Sequence, residues 1–167
     1  MQKKAFTNLM KNWLVKFLNK KYSATHKILD VVIPNTNLAR LSDSNIKSCK
    51  NYSAWEFRPD ILGILKNKKN AQIELVLLNR SISAISLKEI GEIYCYSKLV
   101  NSKISFLASL KGVSNEVNIL LVDDSIRSRL LKYSDNGQII IFSWDEKKGK
   151  INENSIIPTD KNNFLLK

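Results

Sequence analysis

The sequence has few of the residues that mark specialised chains. Its 167 residues include five glycines and three prolines, which excludes collagen-like and linker-like proteins. The two cysteines, Cys49 and Cys95, lack metal-binding spacing and do not suggest a disulfide framework, so we expect a reducing, cytoplasmic setting. A mechanism that rests on a histidine base has one candidate, His26, because the chain has a single histidine.

Long apolar runs are also missing. No run reaches the roughly 18 residues that a membrane span needs, and lysines interrupt the N-terminal stretch where a secretory signal would have its apolar core. We therefore expect no membrane partner. A composition of 44% hydrophobic and 25% charged residues is typical of a globular protein. We predict a single domain over residues 1–167, with its core at about 4–144 and a polar C-terminal tail at 145–167.

Positive charge is the first feature that indicates a function. The chain has 27 Lys and Arg against 15 Asp and Glu, a net charge of +12. Residues 1–50 carry ten of the basic side chains and only two acidic ones, Asp30 and Asp43. A basic surface of this size suits a polyanion, most often nucleic acid. The alternative is a lysine-rich composition inherited from an AT-rich genome.

The spacing of apolar residues predicts an α/β fold, in which helices cover a mixed central sheet. Residues 35–54 are polar and are predicted to form a loop. A capping box at Ser86 and Glu89 predicts the start of a central helix. The other predicted elements are helices over 4–20 and 114–132, the latter with a break near Asp123 and Asp124, strands over 26–33, 103–109 and 138–144, and a hairpin over 55–78 whose strands are apolar on both faces.

Two carboxylates in the hairpin suggest a metal site. Glu74 lies within the apolar run QIELVLL, where a lone ionised carboxylate would be costly to bury. We expect the hairpin to bring Asp60 within reach of it. Two carboxylates repel, and a divalent cation such as Mg²⁺ or Mn²⁺ relieves the repulsion. The alternative is a surface aspartate that follows a proline and a glutamate that pairs with a basic side chain.

The hairpin and the helix after it resemble the PD-(D/E)xK nuclease superfamily. Pro59 and Asp60 match the PD element, and Glu74 matches the second acidic position. Glu92 and Tyr96 have the spacing of the QxxxY element of some branches, with Glu in place of Gln. The order of predicted elements also matches the αβββαβ restriction-endonuclease-like core.

This resemblance implies a role for each matched position. Asp60, Glu74 and the main-chain carbonyl of Leu75 would hold the metal ion. The family's lysine falls on Val76, so a cation from elsewhere would have to replace it, with Lys88 as the first candidate and Arg80 as the second. Glu56 is a candidate for the additional acidic residue that many members carry on their first helix.

The resemblance implies a metal-dependent DNA nuclease that hydrolyses phosphodiester bonds. The alternatives are a catalytically inactive nuclease-fold protein that binds DNA or RNA, alone or as a subunit of a larger complex, and a protein-interaction domain. Many nucleases of this fold are dimers, so a homodimer is among the expected assemblies. The hairpin lysines Lys66, Lys68 and Lys69, together with Arg80, are predicted to contact phosphates, although a merely solvated turn explains the three lysines equally well.

Overall fold

A six-stranded mixed sheet forms the centre of the molecule. The structure is a computed structural model and describes residues 1–166. The helices are α1 (Lys3–Tyr22), α2 (Ser44–Lys47), α3 (Leu87–Val100), α4 (Asn115–Val122), α5 (Asp124–Leu131) and α6 (Asn162–Leu166). The strands are β1 (His26–Val32), β2 (Ile61–Asn67), β3 (Ile73–Ser81), β4 (Ile104–Ser109), β5 (Ile139–Asp145) and β6 (Lys150–Ile157).

The strands lie in the sheet in the order in which they occur in the chain. Strands β1, β2 and β3 are antiparallel neighbours, and so are β5 and β6. Strand β4 runs parallel to both β3 and β5, because α3 and the α4–α5 pair return the chain across the sheet before the next strand starts. The predicted α/β class with a mixed, helix-covered sheet is confirmed.

Each face of the sheet has its own hydrophobic core. On one face α1 packs against the central strands, and Trp13 contacts Phe106 and Phe142 at ring-centroid distances of 5.2 and 4.8 Å. On the other face, residues 38–57 and helices α3, α4 and α5 cover the sheet. The central strands β2 and β3 are therefore buried on both sides, as their continuous apolar sequences predict.

Local capping signals fix the helix boundaries after β3. The capping box of α3 forms as predicted, with Ser86 and Glu89 bonded to each other's backbone. The predicted break in 114–132 is also confirmed, because the Asp123 side chain caps α5 by accepting from the backbone N–H of Ile126 at 2.8 Å.

Three segments differ from their prediction. Residues 55–60, predicted as the start of the first hairpin strand, lie outside β2, which begins at Ile61. The predicted polar tail at 145–167 is wrong for its described part, residues 145–166, because β6 pairs with β5 and buries Ile151 and Ile156 in the α1-side core. Residues 35–54 contain α2 and two short turns of 3₁₀ helix rather than a plain loop. Among the helices of residues 1–166, none has both the length and the apolar character that crossing a membrane requires.

Candidate functional site

Asp60 and Glu74 lie at opposite ends of the β2–β3 hairpin. Glu74 pairs with Leu65 near the turn, whereas Ile61 pairs with Leu78 at the far end. Asp60 precedes β2, and its backbone N–H donates to the Oδ1 atom of Asn79 at 3.0 Å. Five residues of strand, roughly 17 Å, therefore separate the two carboxylates. The expectation that the hairpin brings them together is wrong.

Glu74 is neutralised by basic side chains of other elements. Its Oε2 atom lies 3.0 Å from Lys103 Nζ and 3.3 Å from Nε2 of the buried His26. Its Oε1 atom accepts a 3.0 Å hydrogen bond from the Asn67 amide. Burial acts to raise the pKa of Glu74, but hydrogen bonds from Asn67 and Lys103 and the charges of Lys103 and His26 outweigh it, so the pKa lies below its ordinary value of 4.5. This is the alternative in which Glu74 pairs with basic side chains.

Arg80 binds the carboxylate of Asp60. It is the residue after Asn79, which lies across the hairpin from Asp60. One carboxylate oxygen, Oδ2, accepts from the Arg80 backbone N–H at 2.9 Å, and the other, Oδ1, lies 3.4 Å from the Arg80 Nη2 atom. The guanidinium also donates through Nε to the Thr7 hydroxyl at 2.7 Å, which ties it to α1. The Arg80 side chain is only 9% exposed, so this geometry is fixed by its surroundings. A cation of the chain itself thus compensates the charge of Asp60.

The residues implied as metal ligands do not fit a shared Mg²⁺ or Mn²⁺ ion. Such ions need several oxygen ligands around one point. Asp60 and Glu74 are far apart and paired with cations, and the Leu75 carbonyl accepts from the Lys103 backbone N–H at 2.7 Å. Among residues 1–166, no three His, Cys, Asp or Glu side chains group in a way that could hold a metal ion.

A basic cleft surrounds Asp60 instead. Its volume is about 440 Å³, and it lies where the N-terminal turn of α1 meets the end of β1, the start of β2 and the end of β3. Four cationic side chains and one carboxylate line it, together with polar and apolar side chains; the full lining is Lys3, Lys4, Thr7, Asn8, Ile33, Pro34, Arg58, Pro59, Asp60 and Arg80. We call this cavity the basic cleft. Its net positive charge and open cationic rim suit an anion rather than a cation.

The N-terminal end of α1 also favours an anion over a cation in the basic cleft. Lys3 and Lys4 occupy the first turn of α1, which contains no acidic residue, and both are exposed. The N-terminal end of a helix carries a partial positive charge that attracts anions and disfavours cations. An anion bound in the basic cleft would relieve the repulsion between the two lysines and the helix end. Arg58 is also exposed and donates to the Asn35 carbonyl at 3.4 Å.

The other predicted phosphate contacts lie elsewhere. Lys66, Lys68 and Lys69 surround the hairpin turn, at the opposite end of β2 and β3 from Arg80. Lys68 is engaged within the protein, because its Nζ atom donates to the Ser23 carbonyl at 2.6 Å. The four predicted phosphate-binding residues therefore do not form one interface.

The remaining predicted residues are dispersed as well. Lys88 is exposed in the first turn of α3, outside the set that lines the basic cleft. The Tyr96 hydroxyl donates to Glu92 at 2.9 Å along α3, so the QxxxY-like pair bonds within its own helix. Glu56 lines a second cavity beside Tyr96.

Sequence reasoning missed much of the basic cleft. It did not select the lysines of the first turn of α1, Thr7 or Arg58, and it also missed Asn79, which bonds to the Asp60 backbone beside the cleft. One usable signal was Thr7, a polar residue on the apolar face of α1 between Phe6 and Met10. A second was the hairpin register, since a turn closed between Asn67 and Gln72 places Asp60 across from Asn79.

Comparison with known proteins adds no family to this description. No protein-family model matches the chain, and no curated protein matches it either.

Proposed function

We propose that this protein binds nucleic acid through the basic cleft and has a nuclease-like fold without metal-dependent cleavage at Asp60. The observation that carries the proposal is the engagement of Asp60 by Arg80 inside a cleft with four cationic side chains. The carboxylate that would hold a metal ion in a nuclease here orients an arginine. Phosphate groups are the anions that such a cleft would meet along DNA or RNA.

The topology supports the nuclease-like part of the proposal. The chain has the order α1, β1, β2, β3, α3, β4, with short helical segments inserted between β1 and β2. The first three strands are antiparallel, and the fourth is parallel to the third. This arrangement agrees with the αβββαβ core that the sequence resembles.

Two further observations favour binding over catalysis. Val76, on which the sequence match placed the family's lysine, is fully buried in the α1-side core and offers no charge. Ser81, two residues after the position across from Asp60, is uncharged as well. Asn79, the residue across from Asp60, supplies a neutral amide oxygen that already accepts from the Asp60 backbone. The surroundings of Asp60 therefore lack the second carboxylate and the lysine of the matched pattern within the part of the chain that the structure describes.

Binding to a labelled single-stranded oligonucleotide tests the proposal. Fluorescence anisotropy would be measured from 50 to 400 mM NaCl in EDTA for wild type, for the Lys3→Gln/Lys4→Gln double variant and for Arg58→Gln. We expect salt to weaken wild-type binding steeply, and the double variant to bind about tenfold more weakly with a shallower salt slope. Arg58→Gln should likewise lower the affinity and make the salt slope shallower.

Matched controls come from lysines outside the basic cleft. Lys16 and Lys20 are exposed on α1, and Lys16 lies roughly 18 Å along the helix from Lys4. The Lys16→Gln/Lys20→Gln and Lys66→Gln/Lys69→Gln double variants remove the same charge and should bind nearly as wild type does. Equal losses in all three double variants would show that net charge, and not the basic cleft, drives binding.

A cleavage assay tests the absence of metal-dependent chemistry. Supercoiled plasmid and single-stranded DNA would be incubated with Mn²⁺, Mg²⁺ or EDTA, using wild type and the Asp60→Ala and Glu74→Ala variants. We expect no cutting under any of these conditions. Metal-dependent cutting that is lost in Asp60→Ala would overturn the proposal and establish a nuclease.

A further inference from the structure

An aromatic pocket lies next to the basic cleft along the chain. Its volume is about 630 Å³, and it lies between residues 54–57 and the C-terminal half of α3. Glu56 and Phe57 line one side, and Tyr94, Tyr96, Lys98 and Leu99 line the other. Leu99 is 55% exposed and adds apolar surface to this cavity. We call this cavity the aromatic pocket.

The walls of the aromatic pocket are held in place. The rings of Phe57 and Tyr96 stack at a centroid distance of 4.2 Å with 19° between their planes. The Tyr96 hydroxyl is anchored by Glu92, and burial together with this hydrogen bond raises the pKa of Tyr96 to about 12, so the ring stays neutral. Lys98 extends its ammonium to 5.9 Å from the centre of the Tyr94 ring. The pocket therefore presents fixed aromatic surfaces with a cation at its rim.

One short segment of chain links the two cavities. Glu56 and Phe57 line the aromatic pocket, and Arg58, Pro59 and Asp60 line the basic cleft. Phe57 and Arg58 are consecutive, with α-carbons about 3.8 Å apart. A ligand that contacts Arg58 thus touches the same short segment of chain that forms one side of the aromatic pocket.

We propose that the aromatic pocket receives an unpaired nucleobase of a strand whose phosphate lies in the basic cleft, so that the substrate class is single-stranded or locally unpaired nucleic acid. This inference rests on the proposed function. A base inside a duplex is stacked on both faces and cannot enter, whereas an unpaired base can stack on an aromatic side chain.

The chemistry of the rim favours a base over an apolar protein segment. A nucleobase combines a flat aromatic face with hydrogen-bond donors and acceptors on its edge. Glu56 supplies an acceptor and Lys98 a donor beside the aromatic rings. An apolar side chain from a protein partner would make no hydrogen bond to either group. The net charge of +12 also favours a polyanion over a neutral partner.

A paired set of oligonucleotides and variants tests the inference. The probe is a single-stranded oligonucleotide that carries 2-aminopurine, and the comparison is its fully paired duplex. We expect binding to change the 2-aminopurine fluorescence of the single strand and to favour it over the duplex. Tyr94→Leu and Tyr96→Leu should each weaken single-strand binding about tenfold, while duplex affinity and the salt slope stay as in wild type.

Conservative variants separate stacking from loss of structure. Tyr94→Phe and Tyr96→Phe keep the aromatic face and should retain single-strand binding, and circular dichroism checks that all four variants fold. Salt-dependent binding that is equal for single strand and duplex, and unchanged in both leucine variants, would overturn the inference but leave the basic cleft as a binding site. No binding of either nucleic acid would overturn the proposed function itself.

Discussion

Asp60 and Glu74 each form an ion pair with a long cationic side chain. The position of each carboxylate in the hairpin determines which side chain that is. Glu74 lies near the turn, where the start of β4 brings Lys103 and the start of β1 brings His26. Asp60 lies at the other end, where the chain leaves β3 through Arg80. A half-buried carboxylate needs a compensating charge, but the sequence alone does not say whether a metal ion or a side chain supplies it.

The Glu74 pairing predicts a specific pH dependence of stability. Because the pKa of Glu74 is lower in the folded protein than its ordinary value of 4.5, this group stabilises the fold above about pH 4.5 and the contribution is lost as pH falls through the folded pKa. Glu74→Gln should reduce the free energy of unfolding at pH 7 by about 1–2 kcal/mol and flatten its dependence on pH in the acidic range. Urea unfolding from pH 3 to 7 measures both effects.

Glu153→Gln is the matched control for Glu74→Gln. Glu153 is an exposed glutamate of β6 that contacts Lys150 at 3.0 Å, and a surface pair of this kind contributes little to stability. If both variants show the same acid-range slope as wild type, the Glu74 cluster makes no pH-dependent contribution.

At the scale of elements, the contact between α1 and the sheet depends on a glycine. An added Cβ at Gly63 of β2 would lie 2.9 Å from Leu18 Cδ1 of α1 and 3.3 Å from Val76 Cβ of β3. Leu18 and Val76 are both fully buried, so neither can move away freely. Gly63 therefore lets the helix approach the central strands closely.

Two alanine substitutions test this close approach. Gly63→Ala should destabilise the protein by about 1–3 kcal/mol, because Leu18 must shift within a filled core. Gly91→Ala has open space within 4 Å of the added carbon and lies within α3, so it should stabilise by about 0.5–1 kcal/mol. Chemical denaturation measures both. A neutral or stabilising Gly63→Ala would mean that the interface between α1 and the sheet has room for a methyl group.

The elements that could be predicted from the sequence are those with local signals. The capping residues Ser86 and Asp123 fix helix starts within one turn of chain, and the apolar runs of β2 and β3 predict buried strands. Strand β6 was not predicted from the sequence. Residues on one face of a regular strand are an even number of positions apart, whereas its two buried residues, Ile151 and Ile156, are separated by an odd number of positions. The pairing of β5 with β6 shifts register between Ile141 and Ser143, which breaks the alternation that marks a strand.

The candidate site could be predicted only in part, for a related reason. Asp60 and Arg80 were recognised as separate candidates, but their contact depends on the hairpin register. The turn sequence KNKKN is compatible with more than one closing pair, and a shift in the closing pair changes the residue that faces Asp60. The lysines of α1 reach the basic cleft through tertiary packing, for which the sequence gives no local signal.

At the scale of the whole molecule, the basic cleft brings four of the 27 basic side chains together at one end of the sheet. The start of α1 and Arg58 lie there with Arg80, and the only carboxylate in the cleft lining is that of Asp60 within the described residues. The N-terminal ammonium is paired with Glu146 at 3.1 Å, which anchors the start of α1 beside the β5–β6 turn. The cationic side chains of the basic cleft therefore repel one another in the free protein, and a bound polyanion would relieve this repulsion.

That repulsion predicts a protein whose thermal stability rises with ionic strength. A net charge of +12 opposes the compact state, and salt screens interactions between exposed charges beyond a distance of about 10 Å at 0.1 M. Raising NaCl from 10 to 300 mM should increase the Tm by about 2–4 °C, which corresponds to about 1 kcal/mol for a chain of this size. Lys16→Gln/Lys20→Gln lowers the net charge by two without touching the basic cleft, and its Tm should respond less to salt. A Tm that falls as NaCl is raised would show instead that favourable ion pairs, such as those of Glu74 and Asp60, outweigh the repulsion among the lysines.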